Sequence, residues 1–153
     1  MNRSGFNIRV YGIVFNSYGE ILLTDEYRLS QKMTKFPGGG LEQGEGTIDC
    51  LHREFMEEMN QPIASISHFY TTDFYQKGWF FEHMQLISIY YLVELQMPLQ
   101  FKISEKAFDF DISDENPQSF RWASLDSLRP SDLTFPIDKK VLEMLQKENM
   151  RRH

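Results

Sequence analysis

The chain has 153 residues, 41% hydrophobic, 14% aromatic and 25% charged, a length for one compact core and a composition that excludes collagen, coiled coil and disorder. Sixteen basic against 22 acidic side chains leave a net charge of −6. That balance excludes non-specific binding to a nucleic acid polymer or an anionic membrane, and it demands a local remedy for any phosphate-bearing partner.

Asn7 to Phe15 is rich in branched and aromatic residues, Asn16 to Gly19 supplies turn chemistry, and Ile21 to Thr24 resumes the apolar run. This pattern predicts a β-hairpin. Asn7 and Arg9 break the apolar character that a secretory signal would keep. A polar connection is expected from Asp25 to Lys35. Phe36-Pro37 then leads into Gly38, Gly39 and Gly40, read as a loop with backbone work to do.

From Thr47, an expected N-cap, the apolar residues Ile48, Leu51, Phe55 and Met59 recur at helical spacing, and Asn60 followed by Pro62 ends the helix. Strands are expected at His68 to Tyr75, at Met84 to Leu95 as a central strand, and at Phe120 to Trp122. A short helical segment around Leu125 to Leu128 should follow. The tail, Pro136 to Asn149, carries Ile137, Val141, Leu142 and Leu145 at helical spacing and should lie on the sheet as a second main helix. The whole reads as a single domain over residues 1–153. Its lone cysteine, Cys50, precludes an internal disulfide or a Cys-rich zinc cage and fits the reducing cytoplasm. The most apolar run falls far short of the ~20 residues of a membrane span.

Between Gly38 and Asn60 six acids, Glu42, Glu45, Asp49, Glu54, Glu57 and Glu58, face one base, Arg53, so nearly all the net charge is concentrated here. Glu54, Glu57 and Glu58 stand at i, i+3 and i+4, projecting three carboxylates from one patch about a right angle away from the apolar stripe. A solvated acidic face is the bland interpretation. Oxygen donors without Cys or His otherwise match Mg²⁺ or Mn²⁺ rather than Zn²⁺.

The segment Gly38-Gly39-Gly40-Leu41-Glu42-Gln43-Gly44-Glu45, then seven residues, then Arg53-Glu54-Phe55-Met56-Glu57-Glu58-Met59-Asn60 resembles the signature of the Nudix hydrolases, G-x5-E-x7-R-E-U-x-E-E-x-G-U with U a bulky aliphatic residue. Phe55, Asn60 and Gln61 depart from it; the acids do not. The resemblance implies an α/β (α+β) fold, an α-β-α sandwich with a mixed sheet between helices. It also implies a Mg²⁺-dependent hydrolase that cleaves the pyrophosphate linkage of a nucleoside diphosphate joined to another group. Glu54, Glu57, Glu58 and the Gly38 carbonyl would hold the metal, Arg53 would orient the acids, and Glu45 would fix the loop to the helix. Gly39 and Gly40 would lie against substrate. The alternative is a regulatory module of the same fold that binds a nucleotide without turning it over.

The general base is open among Glu54, Glu82, Glu105 and Glu115. Arg28 could touch a terminal phosphate or be an ordinary exposed arginine. Phe69, Tyr70, Phe74, Tyr75, Trp79, Phe80 and Phe81 could stack a nucleobase, pack a core, or offer a surface for a homodimer. His52, His68 and His83 lack metal-ligand spacing, and Cys50 has no histidine partner that would make it a nucleophile.

Overall fold

The computed structural model describes residues 4–152. Among these residues seven strands and two α-helices form two compact units, one of residues up to Val14 with Gly38–Phe101, the other of Phe15–Pro37 with residues from Lys102 onward. The class is α+β with a mixed sheet, as expected. Among the described residues no helix is long and apolar enough to cross a membrane.

The first unit is built on β1 (Gly5–Val14), β4 (Gly38–Gly40), β5 (Ile63–Thr71) and β6 (Met84–Leu95), in the order β4-β1-β6-β5. β1 runs parallel to β6 and antiparallel to β4; β5 is antiparallel to β6. β6 is interior, as its apolar run predicts. Helix α1 (Thr47–Met59) packs against β1, β4 and β5. Gly12 exists to let it do so: a Cβ there would fall 2.7 Å from the Phe55 ring. Phe55 is wholly buried, an anchor of the kind whose truncation costs about 3–5 kcal/mol.

In the second unit β2 (Glu20–Arg28) is central between β3 (Gln31–Lys35) and β7 (Gln118–Ser124), all antiparallel, followed by α2 (Pro136–Arg152). Asp25, fully buried, is held by Arg121 Nε at 2.7 Å and Thr34 Oγ1 at 2.6 Å. The paired guanidinium makes burial of that carboxylate tolerable. On α2 the expected stripe Ile137, Val141, Leu142 and Leu145 is buried.

Five expectations are corrected. β1 and β2 are not a hairpin: beyond one bridge, Phe15 with Ile21, they enter different sheets. Each is buried over five consecutive residues, Val10–Val14 and Ile21–Asp25, the mark of a strand covered on both faces, and each is flanked by two strands of its own sheet. The stretch from Asp25 to Lys35 is itself a hairpin, turning on Leu29 and Ser30 at φ 50° and 63°. Two left-handed residues suit a tight turn, but neither is the Asn or Gly that usually marks one. Gly38–Gly40 is an edge strand rather than a loop. The expected strand His68 to Tyr75 instead spans Ile63–Thr71. The expected helical segment at Leu125–Leu128 is a turn, closed by Leu128 N–H donating to the Ser124 carbonyl, and a single 3₁₀ turn follows at Pro130–Asp132.

Candidate active site

Helix α1 is capped one residue earlier than expected. Gly46 is the N-cap, its N–H donating to the Asp49 carboxylate at 3.0 Å, and Thr47 is the first helical residue, its hydroxyl hydrogen-bonded to Tyr91. Asn60 closes the helix in the left-handed conformation at φ 52°, as the substitution of Asn for Gly requires. The inward stripe is Cys50, Leu51, Phe55 and Met59; Ile48 is exposed and Cys50 takes its place. Gln61 is buried but satisfied: its Nε2 donates to the Gln96 carbonyl at 2.7 Å, and its Oε1 accepts from Gln100 N–H at 2.7 Å. Ile63 is buried beside it in sequence.

The polar face of α1 is organised by Arg53. Nε and Nη2 grip the two oxygens of Glu45 at 2.9 and 2.7 Å, Nη1 reaches Glu54 at 3.0 Å and Glu57 at 3.1 Å, and Nη2 also donates to the Gly40 carbonyl at 3.0 Å. Glu42 adds a longer ion pair at 3.6 Å. These contacts match the five N–H donors of a guanidinium, so Arg53 is committed to holding the glycine strand, the loop and the helix together. The acids in turn raise its pKa, hydrogen bonding to Glu45 foremost. Glu58 is half-buried, with its Oε2 shut away from solvent. Among the described residues no three His, Cys, Asp or Glu side chains converge into a ready cage, because Glu54 and Glu57 are drawn onto the guanidinium.

The Arg53 hydrogen bonds, helped by the Glu42 backbone N–H, hold the Glu45 carboxyl down to about 2, from an ordinary 4.5. A depressed carboxylate contributes stability that is complete above the unfolded value and is lost as pH falls from about 4.5 towards 2. Denaturant melts at pH 7, 4.5 and 3 should therefore show wild type losing stability below pH 4.5, with a shallower loss in Glu45→Gln. Equal slopes in the two proteins would contradict the clamp. Cys50 moves the other way: burial first, then its contact with Glu45, pushes the thiol up to about 12. It stays protonated at neutral pH, as a packing residue should.

Gly39 faces the helix. A Cβ there would lie 2.4 Å from the Glu54 carboxyl carbon, so the absent side chain is the space the carboxylate occupies. Gly38 sits at φ 144°, and its Cβ would meet the Val10 carbonyl at 2.1 Å; only glycine permits this pairing with β1. The acids Glu45, Glu54 and Glu57 are thus brought together with Arg53 and Gly40. Arg28, exposed at the end of β2, and the exposed Glu105 and Glu115 belong to the other unit.

Of the aromatic stretch, Tyr70 is buried while Tyr75, Trp79 and Phe81 are exposed. An open cavity of about 390 Å³ is lined by Ser4, Gly5, Phe6, Tyr75, Glu82, His83, Met84 and Gln85. Its loop is pinned by Gly78 N–H donating to the Met84 carbonyl and Leu86 N–H to the Gln76 carbonyl. Glu82 pairs with Lys77 at 3.4 Å. His52 is exposed, and His68 is bonded to Thr71.

A family model described as NUDIX domain matches residues 5–145. A curated protein of Shewanella denitrificans, an RNA pyrophosphohydrolase, is 34% identical over 59 residues, 39% of this chain and 33% of that protein. The matched stretch thus spans about a third of that relative's length. Among solved structures, the ORF135 protein of E. coli superposes with a TM-score of 0.71 at 20% identity over 99% of this chain and 94% of that one. A MutT structure from work on Aliivibrio salmonicida and Vibrio cholerae gives 0.65 at 21% over 93% and 98%. These two show a shared fold.

Proposed function

The chain belongs to the Nudix family, whose domain model reaches across both of its units, and from that premise we propose that it is a single-domain, divalent-metal-dependent pyrophosphohydrolase. Its substrate is a nucleoside diphosphate joined to a second group, as in a nucleotide sugar or a nucleoside triphosphate. The observation that carries this reading is the clamp in which Arg53 holds Glu45, Glu54, Glu57 and the Gly40 carbonyl on one face of α1.

Mg²⁺, or Mn²⁺ in its place, fits the residues present. The donors are hard oxygens, Gly39 leaves room for the Glu54 carboxylate, and Glu54 and Glu57 each give Arg53 one oxygen only. Glu54, Glu57, Glu58 and the Gly38 carbonyl would hold the ion. When bound it supplies neutralisation of phosphate charge and acidification of water. The chain's own part is to keep the acids ionised and fixed: Arg53 positions Glu54 and Glu57, and Glu45 locks Arg53 to the loop. In the reaction a water oxygen bonds to phosphorus, the anhydride P–O bond breaks with its electron pair leaving on the departing phosphate, and a carboxylate takes the water's proton. Glu54 is the candidate base within the cluster. The cavity beside Phe6 and Tyr75 has the size and mixed lining that a nucleobase requires.

The test is a panel of nucleoside triphosphates, nucleotide sugars and dinucleoside polyphosphates with Mg²⁺ or Mn²⁺. RNA bearing a 5′-triphosphate is included because of the curated relative's name. Metal-dependent release of phosphate products from at least one member is expected and would be stopped by EDTA; tight binding without turnover across the panel would favour the regulatory-module reading.

A further inference from the structure

Among the described residues of the first unit, the exposed aromatic side chains are Phe6, Phe74, Tyr75, Trp79 and Phe81. They adjoin one another: Phe6 and Tyr75 line the open cavity together with His83, the Phe81 ring lies edge-on to His83 at 6.2 Å, and Phe74 and Trp79 belong to the same loop. Each keeps between 38 and 68% of its surface exposed. At about 150–250 Å² for a whole ring, the five leave roughly 400–600 Å² of aromatic surface uncovered. That is the upper end of what a monomer leaves open, and half or more of the roughly 800 Å² that each partner gives to a stable interface.

The loop that carries these rings is preformed. Lys77 bridges Gln85, Leu86 N–H donates to the Gln76 carbonyl, and Gly78 N–H donates to the Met84 carbonyl. A Cβ at Gly78 would fall 2.5 Å from the Phe81 carbonyl oxygen, so glycine is what closes the turn. A surface ordered in advance loses little entropy when it is covered.

Charge decides what covers it. The acids of this chain are concentrated between Gly38 and Asn60, whereas loop 72–83 carries only Asp73, Lys77 and Glu82, and strand β5, which leads into it, carries no charged residue. Two copies meeting through the acidic face of α1 would repel one another; meeting through the loop they would not. Lys77 and Glu82, 3.4 Å apart and both largely exposed, set one cation and one anion beside the rings, and a rim holding both signs is able to complement its own two-fold copy.

We propose that this aromatic patch is the contact of a homodimer, two copies packing their rings together about a two-fold axis with Lys77 of each copy facing Glu82 of the other. The proposal does not depend on the hydrolase reading. The cavity opens inside the patch, so the seated copy turns an open basin into an enclosed one, the form that buries most of a small ligand.

Sedimentation equilibrium of the full chain from about 1 to about 200 µM should show a dimer with a Kd in the micromolar range, the span that such concentrations resolve. Trp79→Glu and Phe81→Glu, with thermal melts as the fold check, should each weaken it at least about thirtyfold, the scale of an aromatic anchor. Lys77→Glu and Glu82→Lys should each dimerise more weakly alone yet pair with one another when mixed, which damage to the fold would not produce. A wild type still monomeric at about 200 µM overturns the proposal and leaves the rings to a nucleobase or a foreign partner; a dimer that Phe81→Glu leaves intact overturns it too. Should the two aromatic variants fail to fold, failure of the mixed Lys77 and Glu82 variants to pair overturns it instead. Turnover enters none of these readouts, so a dimer without hydrolysis sinks the hydrolase reading alone, and a monomer that hydrolyses sinks the dimer alone.

Discussion

Replacing Glu57 and Glu58 together by glutamine should abolish hydrolysis while the protein still folds. Glu57 is exposed and Glu58 half-buried, so neither amide creates a cavity or overpacks the core, and removing two like charges from one turn relieves repulsion. The loss falls on the chemistry. Taking away one preorganised donor from an oxyanion hole costs about 10²- to 10³-fold in acyl transfer; losing two charged groups that would hold the metal should bring turnover to background. Product release measured by chromatography, beside a far-ultraviolet spectrum and a melt, checks this. Turnover within about tenfold of wild type would exclude these carboxylates as the metal ligands.

Arg53→Met should cost stability as well as disorder the site. Glu45 and Glu54 keep only 14% and 13% of their side-chain surface exposed, and Arg53 pairs with both at 2.7 and 3.0 Å. Removing it leaves partly desolvated carboxylates facing one another without a counter-charge. Breaking a buried pair from one side costs about 3–5 kcal/mol; the partial exposure of this cluster puts its loss below that range. The pH response should also reverse in sign. Wild type weakens as pH falls through the range where Glu45 takes up its proton. The variant, relieved of repulsion by protonation, should gain on going from pH 7 to pH 5. Added Mg²⁺ should narrow the gap between the two proteins relative to EDTA, since a cation can stand where the guanidinium stood. A variant as stable as wild type at pH 7 in EDTA would show that the clamp holds nothing.

The acids, the arginine and the end of helix α1 were legible because their spacing is contiguous and local. Glu45, Arg53, Glu54 and Glu57 come together within one short stretch of chain, and Asn60 takes the left-handed conformation its residue type allows. What was not legible depends on partners distant in the chain. A turn made by Leu29 and Ser30 carries no compositional mark. Three glycines read as a loop become a strand only because β1 lies alongside. Ile48 and Cys50 exchanged roles because a stripe of helical period fixes a face only to within a residue either way.

The ten-residue parallel ladder of β1 with β6, Gly5 opposite Met84 through Val14 opposite Val93, governs when such a protein becomes competent during synthesis. The glycine strand rests on β1, and β1 lacks its long neighbour until the ribosome has released everything through Leu95. A nascent chain that has just emerged past Asn60 therefore carries every acidic group of the motif without the platform that aligns them. Closure over so long a loop is slow compared with local helix formation, so ordering of the acidic face should wait for the emergence of β6 rather than of the motif itself.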